Sequence, residues 1–474
     1  MTELFELLTR LRSEVELAVG AIIAAIITVH VLLTQREVAA AVGWIGLVWY
    51  SPFVGGLTYV VLGVNRVRRR ARSVRGGRPA RPAHAPPATA DDDGHLRPLG
   101  RGIGVITGRP AEPGNSVDIL HNGDEAYPAM LAAIDGAQRS VGLSSYIMRA
   151  DVVGSRFIAA LQAAQSRGVQ VRVIVDGVGS GWVLSPAYAR LRRVRVPVGR
   201  FMHSSMPWRM PFLNLRTHKK ILVVDGTMGF TGGINISDEN LLAARPRHPV
   251  QDTHFRLRGP VVAQLVEAFA QDWSFLAGEE LDGAAWFPPL ERHGDAAARV
   301  ITAGPDLDLD KIEFAVLQAI ACARDSIRFM TPYFLPDRQM VTALSLAAMR
   351  GVAVEVIVPE HGDHRVMDWA MRANVGPLLK DGGRIWRSPP PFRHSKVLVV
   401  DGEWCLIGSS NWDMRSFRLN FELCVEVYDR ALAAVLEALM AQNRGRAVAT
   451  ADLEARSLPV QLRDAGARLL MPYL

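Results

Sequence analysis

The sequence predicts an α/β protein with two tandem lobes, each a β-sheet covered by helices, and a pair of apolar helices ahead of them. Three observations support this fold class. Strand-like runs alternate with amphipathic helical runs from about Asn115 onward. The same order of runs returns later in the chain, and two long uncharged stretches lie within the first 65 residues. We therefore divide the chain into apolar helices, a linker, a first lobe and a second lobe, at residues 1–65, 66–100, 101–295 and 296–474.

The first segment contains two stretches that are long enough to cross a membrane. Residues 17–33 include only two polar side chains, Thr28 and His30, and residues 38–64 carry no charge. About 20 apolar residues span a bilayer core, and Pro52 in the second stretch is tolerated there. These features predict a transmembrane helical hairpin. A buried core hairpin is the alternative, and a signal peptide is disfavoured because acidic residues precede the first stretch and no cleavage pattern follows it.

An arginine-rich segment follows the second apolar stretch, with eight arginines and no acidic residue between positions 66 and 81. Because such segments stay on the cytoplasmic side, we predict a multi-pass protein of the plasma (inner) membrane with both lobes on its cytoplasmic face. The arginines are also suited to contact anionic head groups. Many prolines and few apolar residues predict that residues 66–100 form a poorly ordered tether.

The formal net charge of +7 does not indicate a nucleic-acid-binding protein. The eight clustered arginines account for all of it, so the lobes are close to neutral and we predict no nucleic-acid partner. The three cysteines are far apart and form no Cys-x-x-Cys pair. We therefore predict no metal site and no disulfide framework, and the chemistry described below needs no cofactor.

Matching segments indicate that the two lobes arose from one duplicated unit. The tripeptide Arg-Gly-Val at residue 167 recurs at residue 350, an offset of 183, and the motif described next recurs with an offset of 176. Short loop deletions after a tandem duplication leave such a drifting offset. The duplication predicts pseudo-two-fold symmetry between the lobes and one site at their interface.

The pattern His-x-Lys-x₄-Asp occurs once in each lobe. The residues of the two copies are His218, Lys220 and Asp225, and His394, Lys396 and Asp401. Each copy begins an apolar strand-like run, so its His and Lys share one face of an extended segment. A histidine pair can supply a nucleophile and a proton donor near neutral pH, and lysines suit phosphate oxygens. The twin motif therefore predicts chemistry at a phosphodiester.

Further residues complete the predicted site. The candidate phosphate-binding residues are Asn235, Asn411, Gly233 and Ser410, from the small-residue turn that follows each motif. Asp252 and Glu422, downstream of the motif in each copy, are the candidate acids that orient the histidines. We include the two motif aspartates in the catalytic set, although an Asp-Gly pair after a strand is first a turn signal.

The twin motif, with the longer stretches around 201–240 and 411–422, resembles the phospholipase D superfamily and, within it, the bacterial cardiolipin synthases. The resemblance covers essentially the whole chain. It implies a phospholipase D-like fold and a metal-independent reaction on phosphatidylglycerol at an anionic membrane. One histidine expels glycerol and forms a phosphatidyl-histidine, and the hydroxyl of a second phosphatidylglycerol converts it to cardiolipin. By analogy His218 is the nucleophile, and His394 is first the acid and then the base.

Alternatives within the superfamily stay open. The motifs also fit a phospholipase D hydrolase, or a phosphatidyltransferase that uses another donor such as phosphatidylethanolamine. A nuclease is disfavoured by the neutral lobes and the apolar N-terminus, and homo-oligomers are compatible with the sequence. Ser144-Ser145-Tyr146 stands where many relatives carry Tyr-Tyr, which leaves the acyl or head-group preference open. Trp208 and Phe212 are candidates either for insertion into the lipid surface or for packing between the lobes.

Overall fold

The computed structural model describes residues 2–34, 38–60, 94–203, 215–305 and 308–471. The arginine-rich segment, most of the predicted tether, and Trp208 and Phe212 lie outside these residues. The chain forms two compact units, Met1–Ser73 and Val74–Leu474, which we describe separately.

The N-terminal unit is helical. Its helices are α1 (Thr2–Thr34), α2 (Val38–Tyr50) and α3 (Pro52–Thr58). Among the described residues, Glu14–Thr34 is the one helical segment long and apolar enough to cross a membrane, judged by length and composition. Within this unit, Nδ1 of His30 lies 2.7 Å from the hydroxyl oxygen of Tyr59.

The second predicted span is interrupted at Ser51. Ser51 adopts φ −142° and ψ 85°, which is not helical, and it separates α2 of 13 residues from α3 of 7 residues. The cause is Pro52, because proline disfavours helical backbone in the residue before it and lacks an N–H of its own. The described part of residues 38–64 therefore forms two short helices where we expected one continuous span, and the two-span topology stays a prediction.

The first half of the larger unit alternates strands and helices, as expected. Its helices are α4 (Arg97–Thr107), α5 (Asn122–Gly136), α6 (Val152–Ser166), α7 (Pro186–Arg193) and α8 (Val261–Ala277). Its strands are β1 (Glu112–His121), β2 (Ser140–Ser145), β3 (Gln170–Asp176), β4 (Val198–Phe201), β5 (Arg216–Thr217), β6 (Ile221–Val224), β7 (Met228–Gly232), β8 (Val250–Gln251) and β9 (Thr253–Arg258).

The second half repeats this alternation. Its strands are β10 (Ala296–Ala303), β11 (Ser326–Met330), β12 (Phe334–Leu335), β13 (Ala353–Pro359), β14 (Arg384–Ser388), β15 (Phe392–Arg393), β16 (Val397–Val400), β17 (Trp404–Gly408), β18 (Trp412–Asp413), β19 (Asn420–Tyr428) and β20 (Arg446–Ala447). Its helices are α9 (Lys311–Cys322), α10 (Arg338–Met349), α11 (Arg365–Asn374), α12 (Gly376–Lys380), α13 (Met414–Arg418), α14 (Arg430–Gln442), α15 (Thr450–Glu454) and α16 (Leu458–Arg468).

One mixed sheet runs through both halves. Strands β1 and β10 pair antiparallel at its centre. From β1 outward the order is β9, β7, β6, β2, β3, β4, and from β10 outward it is β19, β17, β16, β11, β13, β14. These orders match strand for strand, as a duplicated unit predicts, and β20 adds one further strand beside β14 that has no counterpart beside β4 in the described part of the chain. The α/β fold class is thus confirmed, while the pseudo-two-fold axis itself stays a prediction.

The two halves also share one hydrophobic core. On one face of the sheet, Phe269 of α8 and Leu436 of α14 belong to a single buried cluster with Val300 of β10 and Val425 of β19. On the other face each half has its own cluster. Because the sheet and one core layer are continuous, the halves pack as one body and not as two separate domains.

Helix α4 lies where we predicted the end of the tether and the start of the first lobe. Its buried residues Leu99 and Ile103 pack in the core of the second half, with Ile312 and Val316 of α9. Just before it, His95 Nε2 lies 2.7 Å from Oδ2 of Asp401, which is also in the second half. Residues 95–103 thus contact the second half, and the domain boundaries at residues 101 and 296 stay predictions.

Candidate active site

The motif histidines and lysines lie just before strands β6 and β16, and His394, with 13% of its side chain exposed, is the least buried of the four. His218, Lys220 and Lys396 are 6%, 2% and 3% exposed. Between His218 and Lys220, Lys219 points the opposite way and forms a buried ion pair with Asp272, at 2.8 and 3.0 Å. This alternation is the one expected of an extended segment, and it brings each motif His and Lys to the same side.

Each half fixes the backbone of the other half's histidine. Strand β5, just before His218, pairs in parallel with β19 of the second half, and the His218 N–H donates to Phe421 O at 2.8 Å. Strand β15, just before His394, pairs in parallel with β8 of the first half, and the His394 N–H donates to Gln251 O at 2.7 Å. This reciprocal pairing brings the two motifs to one place between the halves.

The candidate acids contact the histidines across the halves. Nδ1 of His218 lies 3.0 Å from Oε2 of Glu422, and Nδ1 of His394 lies 2.8 Å from Oδ2 of Asp252. Each acid thus contacts the histidine of the other copy, so the pairing is crossed. The reason is the strand pairing between the halves. Strand β19 carries Glu422 and pairs with β5, which leads to His218. Strand β8 leads to Asp252 and pairs with β15, which leads to His394. With Nδ1 facing a carboxylate, Nε2 of each ring is the nitrogen available to a substrate.

Different neighbours hold the two acids. Glu422 accepts hydrogen bonds from Ser409 Oγ at 2.5 Å and Asn420 Nδ2 at 3.1 Å. Asp252 accepts from the Thr253 N–H at 2.7 Å. At the position that matches Ser409, two residues before the turn asparagine, the first half has Gly233. A Cβ there would lie 2.3 Å from Asp252 Oδ1, so the glycine makes room for the carboxylate.

Two buried ammonium groups lie beside the histidines. Lys220 Nζ donates to His218 O at 2.8 Å, and Lys396 Nζ donates to His394 O. Burial, and then the charge of Lys396, lower the pKa of Lys220 to about 7. Burial also lowers the pKa of Lys396 to about 8, although Asp252 and Glu422 oppose the shift. Since the charge of Lys396 disfavours the charge of Lys220, the pair suits an anion such as phosphate bound beside both ammonium groups.

The pKa values distinguish the two dyads. Burial, followed by the charges of Lys220 and Lys396, holds the pKa of His218 well below its ordinary value. Burial raises the pKa of its partner Glu422 to about 7. Burial acts in the same direction on the pKa of Asp252, but the charges of Lys396 and His394 outweigh it and hold that pKa below its ordinary value. Asp252 is therefore the more strongly ionised acid.

The pKa of His394 is also lowered. Burial is the largest cause, followed by the charge of Lys396, and Asp252 opposes both. Asp252 thus favours the protonated form of His394, in the manner of a carboxylate beside an imidazolium.

The predicted phosphate-binding residues lie on the turns after β7 and β17. Asn235 Oδ1 accepts from the Ile147 N–H at 3.3 Å. Ser410 Oγ donates to Asn411 O at 3.1 Å. Asn411 Oδ1 is buried and has no hydrogen-bond partner among the residues that the structure describes. The structure thus places both asparagines on corresponding turns, and it gives Gly233 a packing role beside Asp252.

The motif aspartates lie at the far ends of β6 and β16 from the histidines. Asp225 accepts from the N–H groups of residues 138–140 at 2.7 to 3.2 Å. Asp401 accepts from those of residues 324–326 at 2.8 to 2.9 Å and contacts His95. Both have left-handed backbone, with φ of 52° and 53°. Their contacts fit the turn interpretation, so we leave them out of the groups that contact substrate.

The structure adds three residues that sequence reasoning did not assign to the site. The Tyr146 ring lies 4.9 Å from the His218 ring and 5.2 Å from Lys220 Nζ. Arg216 Nη1 donates to the Tyr146 hydroxyl at 2.8 Å. Asp176, buried at the end of β3, accepts from the Thr217 N–H at 2.8 Å and so holds the segment before His218. The position of Asp176 at the end of an apolar strand was the one sequence feature that could have indicated its role.

Comparisons with known proteins identify the family of this chain. A family model described as "Cardiolipin synthase, PLD-like domain" matches residues 130–273 and 316–443. The chain is 32% identical over 468 residues to a cardiolipin synthase of Geobacillus kaustophilus (strain HTA426), covering 94% of this chain and 91% of that protein. It is 31% identical over 466 residues to cardiolipin synthase A of Pseudomonas aeruginosa (strain LESB58), covering 96% and 94%.

A solved structure shows the same fold. The crystal structure of phosphatidylserine synthase from Haemophilus influenzae Rd KW20 matches with a TM-score of 0.58 and 15% identity, covering 76% of this chain and 95% of that one. The predicted resemblance is therefore confirmed by family, by sequence and by fold. The chain belongs to the cardiolipin synthase family of phospholipase D-like enzymes, which are phospholipid phosphatidyltransferases.

Proposed function

We propose that the protein is a membrane-bound phosphatidyltransferase that makes cardiolipin from two molecules of phosphatidylglycerol and releases glycerol. One observation carries the proposal: two histidines, His218 buried and His394 partly buried, are each hydrogen-bonded through Nδ1 to an acid of the other half and lie beside two buried lysines. The names of the curated relatives support a phospholipid substrate. The proposed reaction requires neither a metal ion nor a cofactor.

In the first step, Nε2 of His218 attacks the phosphorus of phosphatidylglycerol. The bond from phosphorus to the glycerol oxygen breaks, and His394 gives its Nε2 proton to that oxygen. Two features support this assignment over the reverse one. The low pKa of His218 keeps its ring neutral and nucleophilic. Asp252, with its lowered pKa, stabilises the proton on His394.

In the second step, the hydroxyl of another phosphatidylglycerol gives its proton to His394 and attacks the phosphorus. The phosphorus–nitrogen bond breaks and restores neutral His218. Two phosphatidylglycerols thus become one cardiolipin and one glycerol, with protons and bonds balanced. The charges of Lys220 and Lys396 stabilise the non-bridging oxygens in both steps, aided by the amides of Asn235 and Asn411 and by backbone near Gly233 and Ser410.

We place this site at the cytoplasmic face of the plasma membrane. The apolar segment Glu14–Thr34 and the bacterial relatives indicate a membrane protein. The arginine-rich sequence after the second apolar stretch supports a cytoplasmic body by the positive-inside rule. A reactive site close to the lipid surface gives both substrates access without leaving the bilayer.

The full-length protein in detergent or liposomes, given phosphatidylglycerol alone, tests the proposal. We expect cardiolipin and free glycerol in equal amounts, with water as a minor acceptor. Phosphatidic acid as the main product would contradict the synthase assignment and support a phospholipase D hydrolase. Faster consumption of phosphatidylethanolamine than of phosphatidylglycerol, when both are offered, would support the alternative donor.

A further inference from the structure

Two tyrosines, one after β2 and one after β11, have hydroxyl partners of opposite charge. Tyr146 follows β2 in the first half, and Tyr333 follows β11 in the second half. The Tyr146 hydroxyl accepts a hydrogen bond from Arg216 at 2.8 Å. The Tyr333 hydroxyl instead donates to Asp363 at 2.5 Å. One tyrosine thus contacts a guanidinium and the other contacts a carboxylate.

A second guanidinium lies on the Tyr146 side. Strand β5 pairs Arg216 with Asn420 at the start of β19, and α13, which carries Arg415, ends just before that strand. Burial, and then the charge of Arg216, lower the pKa of Arg415. Nε of Arg216 is buried and has no hydrogen-bond partner among the described residues. Two neighbouring guanidinium groups of this kind favour a bound anion.

The Tyr333 side is unsuited to a second anion. Phe392 lies between the rings of Tyr333 and His394, with centroids 6.4 and 6.0 Å away. Asp363 accepts the hydrogen bond from Tyr333. Its negative charge favours the protonated form of Lys396. A carboxylate there repels phosphate but can accept hydrogen bonds from the hydroxyls of a glycerol head group.

We propose that Arg216 and Arg415 bind the non-reacting phosphodiester of the acceptor phosphatidylglycerol. This inference rests on the proposed function and concerns the question that the motif leaves open, the choice of acceptor. The donor brings its one phosphate to the lysines and histidines. Once the phosphatidyl-histidine has formed, an acceptor with its own phosphodiester gains contacts that water and free glycerol cannot make. The arginine pair thus favours synthesis over hydrolysis and over exchange.

The test is a competition between acceptors in one reaction. Full-length enzyme in detergent micelles receives phosphatidylglycerol and an excess of labelled free glycerol. The intermediate then partitions between cardiolipin and labelled phosphatidylglycerol. Because both products come from the same intermediate, their ratio does not depend on how much enzyme is folded. We expect Arg415→Gln to lower the ratio of cardiolipin to labelled phosphatidylglycerol by about tenfold or more, the effect of one charged hydrogen bond.

Two further variants sharpen the test. Arg216→Lys keeps a charge but loses the forked guanidinium, so we expect a smaller fall in the same ratio. Arg418 lies on the same helix, 3.6 Å from Asp337, and Arg418→Gln is the matched control that leaves the ratio unchanged. Inorganic phosphate distinguishes the sources of the anion: if it lowers the ratio in wild type but not in Arg415→Gln, it competes with the acceptor lipid for this site.

The outcomes separate this inference from the proposed function. If Arg415→Gln reduces both products equally, or neither, the arginines do not select the acceptor and the inference is overturned. The inference would also be overturned by a variant that no longer binds phosphatidylglycerol vesicles but keeps the wild-type ratio of cardiolipin to labelled phosphatidylglycerol. The arginines would then bind lipid at the membrane surface and not the acceptor in the site. A wild-type enzyme that forms labelled phosphatidylglycerol but no cardiolipin would contradict the proposed function itself.

Discussion

The His218–Glu422 and His394–Asp252 pairs occupy equivalent places in the two halves, yet they differ chemically. In the first pair, burial raises the pKa of the acid to about 7 and the histidine is held neutral. In the second, the pKa of the acid is lowered and its charge favours a protonated histidine. Equal strand positions therefore do not give equal roles. Neighbouring charges and hydrogen bonds decide which histidine accepts the phosphorus and which carries the proton.

The crossed pairing adds a second lesson from the same comparison. Each histidine has its backbone and its acid held by the other half, through β5 with β19 and β15 with β8. Neither half alone holds a complete histidine–acid pair. The continuous sheet and shared core layer keep both pairs in one body.

The largest expected effect comes from the two histidines. His218→Ala should lower turnover by at least about 10⁴-fold, because the nucleophile is lost. His394→Ala should lower it by about 10²- to 10⁴-fold with phosphatidylglycerol. A donor with a nitrophenol leaving group needs no acid, so His394→Ala should then accumulate phosphate-labelled enzyme while His218→Ala forms none. The measurement is the amount of labelled phosphate bound covalently to the enzyme after the reaction has been quenched. Label in His218→Ala but not in His394→Ala would reverse the assignment.

Exchanging each acid for its amide should separate the two pairs. Asp252→Asn removes an ionised partner of His394, and we expect kcat to fall about 100-fold. Glu422 has a pKa of about 7 and is partly protonated at neutral pH. We therefore expect Glu422→Gln to lower kcat only about tenfold. Steady-state rates at pH 7 measure both. Equal losses would mean that the two acids play the same part.

The sequence could predict the repeated unit because duplication keeps the histidine and lysine at one spacing. The α/β class could also be predicted, because the spacing of apolar residues that distinguishes strands from helices is a local feature of the sequence. The crossing of Glu422 and Asp252 could not be predicted, because it depends on pairing between strands far apart in the chain. The docking of α4 on the second half was missed for the same reason. The break at Ser51 could have been predicted from the local sequence, because Pro52 follows it. We had instead treated Pro52 as compatible with a continuous transmembrane helix.

Binding of a phosphodiester should weaken as the pH rises. The pKa values of Lys220 and Lys396 are about 7 and about 8 in the anion-free site, and only the protonated forms attract phosphate. Between pH 7 and 9 we expect the inhibition constant of a phosphonate analogue of the lipid to increase by at least about tenfold. Lys396→Arg, whose guanidinium stays charged, should flatten part of this dependence. An inhibition constant that does not change over this range would contradict the roles of the lysines.

The smallest effect on catalysis is expected from the motif aspartates. Asp225→Ala and Asp401→Ala each remove the acceptor of three backbone N–H groups, so each should lower the free energy of unfolding by about 1–3 kcal/mol. The loss should be larger for Asp401, which also binds His95.

Amides of the chain, with His95, hold the pKa of Asp401 below its ordinary value although burial opposes them. The stability it contributes is therefore present above the unfolded pKa and disappears as the pH falls through the folded one. Thermal unfolding at pH 7 and pH 3 measures the loss, with His95→Ala as the matched control for that contact. Activity per folded molecule should stay within about twofold of wild type, because these carboxylates hold backbone. A tenfold fall in that activity would return the aspartates to the catalytic set.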